Sequence, residues 1–110
     1  MCLEKKFDTL YKKEEEFMNH VILIGTLKSK EDVQTKKKIT LSVKRTYKNE
    51  KGFFETDDIT CLLWSGIISK VDNYFNEGDK ISVHGRLEER NNSFVVLIEQ
   101  ICLINHNLNN

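Results

Sequence analysis

The hydrophobic pattern is organised around the stretch Thr56-Asp57-Asp58-Ile59-Thr60-Cys61-Leu62-Leu63-Trp64. Side chains of an extended strand alternate faces, so Ile59, Cys61 and Leu63 point one way and Asp58, Thr60, Leu62 and Trp64 the other. The first row reads as core and the second as surface. A Trp at the outer end of a surface row stands where a stacking platform would sit.

Upstream, His20 to Leu27 is a strand apolar on both faces through Val21, Ile22, Leu23 and Ile24, which predicts cover on two sides, in a closed barrel or at a subunit interface. Gly25 predicts a bulge or bend. Lys28 to Thr35 reads as a polar connection. Lys38 to Lys48 alternates, with Ile39, Leu41 and Val43 inward and Thr40, Ser42 and Lys44 outward. Asn49-Glu50-Lys51-Gly52 then supplies turn chemistry before Phe53 to Trp64 returns as the next strand. The tip of this hairpin carries Tyr47, Phe53 and Phe54 among lysines, aromatics that the core does not need. Tyr47 shares parity with Leu41 and Val43, so it joins the outer surface only where the strand bends or runs past the barrel rim; the latter is assumed.

After Trp64 the period lengthens. Ile68, Val71 and Phe75, with Ile67 and Tyr74 beside them, predict an amphipathic helix capped by Ser65 and ended by Gly78. Lys80 to Glu88 alternates again, Glu89 to Asn92 is a hairpin turn, and Ser93 to Ile104 is apolar at most positions. Leu3, Phe7, Leu10 and Phe17 form a helical stripe in a charged segment, which predicts a docked helix or a disordered tail. The organisation is thus an N-terminal extension, 1–17, a domain at 18–105 and a polar tail at 106–110.

At 110 residues the chain makes one domain. No apolar run is long enough for a membrane helix and no signal peptide opens it, so a cytoplasmic location and no membrane partner are expected. Cys2, Cys61 and Cys102 contain no C-x-x-C pair, and Cys61 and Cys102 lie in apolar runs; reduced thiols are expected rather than a disulfide or a metal site. His20, His84 and His106 lack a nucleophile or metal-ligand spacing around them, and no Gly-rich phosphate loop is present. No enzyme, catalytic residue or cofactor is expected. Net charge is zero, 17 cations against 17 anions, but Lys36 to Lys51 holds seven cations (Lys36, Lys37, Lys38, Lys44, Arg45, Lys48, Lys51) and one anion, Glu50. A local field of this kind can attract a polyanion; a solvated charged surface is the plain alternative.

Three strands, a helix and two more strands are the layout of the OB-fold, an all-β, five-stranded Greek-key barrel with one helix between strands 3 and 4. Met18-Asn19-His20-Val21-Ile22-Leu23-Ile24-Gly25-Thr26-Leu27 resembles the opening strand of bacterial single-stranded DNA-binding proteins. Arg45-Thr46-Tyr47, Thr56-Asp57 with Ile59-Thr60-Cys61 and Trp64, and Val83-His84-Gly85-Arg86-Leu87 with Arg90 match later segments in order, over roughly 18–104. The resemblance implies single-stranded DNA on the barrel, with RNA left open, bases stacked on Tyr47 and Trp64, and a homodimer or homotetramer. Lys44, Arg45, Lys48 and Lys51, with Arg86 and Arg90 beside them, are then phosphate contacts, and Phe53 and Phe54 stack on bases or pack on a partner subunit. For Trp64 the alternative is a cap over the following helix, and for Tyr47 hairpin packing.

The chain departs from that pattern at Asp58, where the family commonly has an apolar or aromatic residue, at the short turn after Arg90, and in lacking the family's long tail with an acidic tip. These departures suggest an accessory member. A primosomal restart-type protein and a barrel that has lost DNA binding and serves assembly are the competing expectations.

Overall fold

The computed structural model describes residues 1–4, 17–33 and 36–106. Six strands are present among them: β1 (Cys2–Glu4), β2 (Val21–Val33), β3 (Lys36–Lys48), β4 (Phe54–Leu63), β5 (Lys80–Arg90) and β6 (Ser93–Asn105). A 3-10 turn at Ser65–Ile67 leads into α1 (Ile68–Tyr74) between β4 and β5. β2 pairs with β3, β3 with β4, β4 with β6, β6 with β5, and β5 back with β2. The expected closed five-stranded barrel is therefore formed, all antiparallel except β4–β6.

The alternating rows become the core. Leu27, Ile39, Leu41, Cys61, Leu63, Ile81, Val83, Val96, Ile98 and Ile101 fill the barrel, and Ile67, Val71 and Phe75 join them from the helical segment. Burial pushes the Cys61 thiol up to about 12. Gly25 and Gly85 are places where strands touch too closely for a side chain: a Cβ would collide with the Ser42 carbonyl oxygen at the first and the Leu97 carbonyl oxygen at the second. The β5–β6 turn is made by Asn91 and Asn92, with φ of 50° and 65°. A two-residue hairpin turn asks for that left-handed conformation, and Asn tolerates it better than most residues.

Several expectations are corrected. Lys28 to Thr35 is no polar connection, because β2 runs on to Val33 and pairs with β3 from Lys30↔Ile39 to Val33↔Lys36. Its charged residues are matched across the strands, Lys37 to Asp32 at 2.8 Å and Lys38 to Glu31 at 3.7 Å, which hydrophobic periodicity does not register. The start of the N-terminal stripe is strand, with Leu3 packed on the core opposite Ile101; Phe7 and Leu10 lie outside the described residues. Cys2 and Cys102 are disulfide-bonded. They are cross-strand partners in the β1–β6 register, a pairing across 100 residues of chain that spacing does not reveal. Ser65 makes no side-chain cap, and α1 ends at Tyr74, well before Gly78. Helix α1 is instead tied to the β2–β3 hairpin through Lys37 to Asp72 at 2.9 Å and Lys30 to the Phe75 carbonyl at 2.8 Å.

Candidate nucleic-acid interface

β4 carries one long outward row: Phe54, Thr56, Asp58, Thr60, Leu62 and, in extended backbone just past the strand, Trp64. The β3–β4 register holds without a break from Lys37↔Leu63 to Lys44↔Thr56 and shifts before Lys48↔Phe54. The two ends of the row differ in their support.

At the barrel end Trp64 is half-buried against the core. It lines a groove of about 400 Å³ together with Lys36, Leu62, Arg86, Arg90, Leu97 and Glu99. The structure thus brings together three of the residues singled out from the sequence, Trp64, Arg86 and Arg90, although they come from β5 and the segment after β4. Lys36 belongs with them and was missed as a site residue. Its signal is the register itself, since the pairing that sets Lys37 against Leu63 brings Lys36 beside Trp64.

At the far end, the β3–β4 arm extends beyond the barrel, and every residue from Lys51 to Asp58 is exposed. Phe54 lies under two ammonium groups, Lys44 at 4.7 Å and Lys48 at 5.8 Å from the ring centroid. Asn49 builds the tip, its side-chain oxygen accepting from the backbone N–H of Lys51 and Phe53 at 2.9 and 3.0 Å. Tyr47 and Phe53 are 64% and 67% exposed, so neither is consumed by packing.

Arg45 is not brought to this row. It has the parity of Val43 and faces the opposite side of the arm. There its Nε and one terminal nitrogen donate to Asp57 at 3.1 and 2.9 Å, and the other terminal nitrogen donates to Glu55 at 2.6 Å. The guanidinium holds the Asp57 carboxyl below its ordinary range, while the Arg45 pKa rises from its already high value. Arg90 donates to Glu88 at 2.7 Å. Lys37, counted in the basic run, is withdrawn from the surface, its side chain 4% exposed and paired with Asp32 and Asp72, hydrogen bonds that raise its pKa. Acids distant in sequence therefore neutralise part of the basic segment. Among the described cations of the basic segment and the groove, Lys36, Lys44, Lys48, Lys51 and Arg86 remain without a carboxylate partner.

A second cavity, about 560 Å³, opens where the barrel is lined by Val21, Leu23, Ile59, Leu87, Phe94 and Val96. Phe94 has the parity of the core residue Val96 yet is 64% exposed, because β6 begins at the mouth of the barrel. No group of three or more His, Cys, Asp or Glu arranged to hold a metal occurs among the described residues, and no helix among them is long and apolar enough to cross a membrane.

A small barrel with an aromatic groove edged by cations is the architecture of an oligonucleotide-binding module. The model of the Single-strand binding protein family matches residues 18–93, and the chain belongs to that family. It is 36% identical over 80 residues to a single-stranded DNA-binding protein of Bacillus cereus, an alignment covering 67% of this chain and 47% of that protein. It is 33% identical over 82 residues to single-stranded DNA-binding protein 1 of Streptococcus pyogenes, covering 67% of this chain and 62% of that one. The chain thus spans about half the length of several relatives it matches. Among solved structures, it resembles the Plasmodium falciparum SSB in complex with ssDNA at a TM-score of 0.63 and 14% identity, covering 84% of this chain and 99% of that one. The mitochondrial single-stranded DNA-binding protein of S. cerevisiae gives 0.63 at 12% identity, covering 78% and 93%.

Proposed function

We propose that this chain binds single-stranded DNA in replication, recombination or repair, without requiring a fixed sequence, along the outward row from Phe54 to Trp64. Bases stack on the Trp64 indole and on the Phe54 ring, each a π surface that any base can cover, and such stacking contributes about 1 to 3 kcal/mol per base. Lys36 and Arg86 hold phosphates at the groove, and Lys44, Lys48 and Lys51 hold them on the arm. Tyr47 and Phe53, exposed at the far end of the arm, offer further rings to the strand there. The observation that carries the reading is the half-buried Trp64 set among Lys36, Arg86 and Arg90.

Titrating the intrinsic fluorescence with oligo-dT at several salt concentrations tests it. Quenching of Trp64, the chain's single Trp, is expected, with a midpoint that moves with salt. The five unpaired cations, each on one phosphate, predict a slope of log affinity against log salt near −3.5, at about −0.7 per contact on a single strand. A flat titration favours the assembly reading instead. That reading has its own support in Ile22 and Ile24, which are 57% and 53% exposed on the outer side of β2. Covering them in a homodimer or homotetramer is compatible with DNA binding, and a light-scattering mass of the intact chain and of Ile22→Lys separates the contributions.

A further inference from the structure

The ion pair between Lys28 and Asp58 sits in the middle of the outward row, between the aromatic ends at Phe54 and Trp64. Lys28 reaches over β3 to bond Asp58 Oδ2 at 2.5 Å. The other carboxylate oxygen has no hydrogen bond within the described residues, and the Asp58 side chain is 44% exposed. A carboxylate acceptor therefore lies in the path along which stacked bases would pass. We propose that Asp58 biases this face toward bases carrying an exocyclic amino group and against uracil and thymine, an inference that rests on the proposed binding of single-stranded DNA.

The argument is one of matching donors to acceptors. The free Asp58 oxygen accepts from an amino N–H, as a carboxylate accepts from cytosine N4 in base recognition. In uracil a carbonyl oxygen occupies the place of that amino group, and it sets one acceptor against another. Lys28 makes the arrangement tolerable to a polyanion. Its ammonium keeps the pair neutral, so the neighbouring phosphates meet little net repulsion.

Length-matched oligo-dC and oligo-dU isolate the amino group, and both are titrated by Trp fluorescence at neutral pH, where cytosine stays unprotonated. The wild-type chain is expected to bind oligo-dC about threefold to tenfold more tightly than oligo-dU, the range one net hydrogen bond supplies. Asp58→Asn frees the Lys28 charge, so it should bind both oligonucleotides more tightly while the dC:dU ratio falls. Lys28→Ala should weaken both and keep the ratio. A ratio unchanged between wild type and Asp58→Asn overturns this inference and leaves the binding proposal standing, whereas no binding to either oligonucleotide at low salt removes both.

Discussion

The two ends of β4 present aromatic rings on the same side of the sheet but hold them by different means. Trp64 leans on a closed core: Leu63 before it is 1% exposed, Ile67 after it 4%, and the ring itself is half-buried. Phe54, ten residues away on an arm with no core behind it, is placed by charges. Two ammonium groups lie over its ring, and the Arg45–Glu55–Asp57 clasp ties the opposite side of the arm. Hydrophobic burial is not weakened by charge screening, and exposed ion pairs are. One end is thus a fixed platform and the other an adjustable one, which suits a ligand with a flexible backbone.

The largest effect that would separate the two ends is on stability. Leu63→Ala should cost about 2 to 5 kcal/mol in a urea melt, while Thr56→Ala on the arm should stay within about 0.5 kcal/mol; equal costs would mean that the arm shares the core. In binding, followed by the anisotropy of a dye-labelled oligonucleotide, Trp64→Ala should remove about 1 to 3 kcal/mol of oligo-dT affinity at every salt concentration. The loss from Phe54→Ala should be smaller, since its ring can adjust, and a reversal of that order would make the arm the main platform.

The cations sharpen the contrast further. Arg86→Ala should reduce the steepness of the salt dependence by about 0.7, the value of one phosphate contact on a single strand. Arg45→Ala should leave the slope unchanged, because the arginine already serves two carboxylates on the other side of the arm; a reduced slope would show that DNA displaces them. The smallest effect concerns the clasp itself. Its folded-state carboxyl at Asp57 is depressed, so the contribution of the pair is fully present above the ordinary carboxylate value of 3.8 and is lost as pH falls through the lower folded value. Amide protection factors across the arm, with the intrinsic base-catalysed rate divided out, should hold steady from pH 7 to about pH 5 in the wild-type chain and be lower in Asp57→Asn over that whole range, with the barrel amides unaffected.

Alternation along the chain was enough to place Ile39, Leu41, Cys61, Leu63, Ile81 and Val83 inside, because burial on one face of a strand imposes a period of two that no distant contact is needed to read. Local turn chemistry was enough for the turn at Asn49–Gly52 and for a second within Glu89–Asn92, which the structure narrows to Asn91–Asn92 because β5 runs on to Arg90, and the order of elements was enough for an OB barrel. The tertiary structure alone decided which charges are available and which side chains meet. Lys36 reaches the Trp64 groove through a register set over the whole β3–β4 pairing, Arg45 and Lys37 have their charges paired with acids on other elements, and Cys2 finds Cys102 only because β1 lies on the edge of β6. Charge pairing and disulfide pairing depend on distance in space, and a periodic pattern carries information about faces but none about which strand lies alongside.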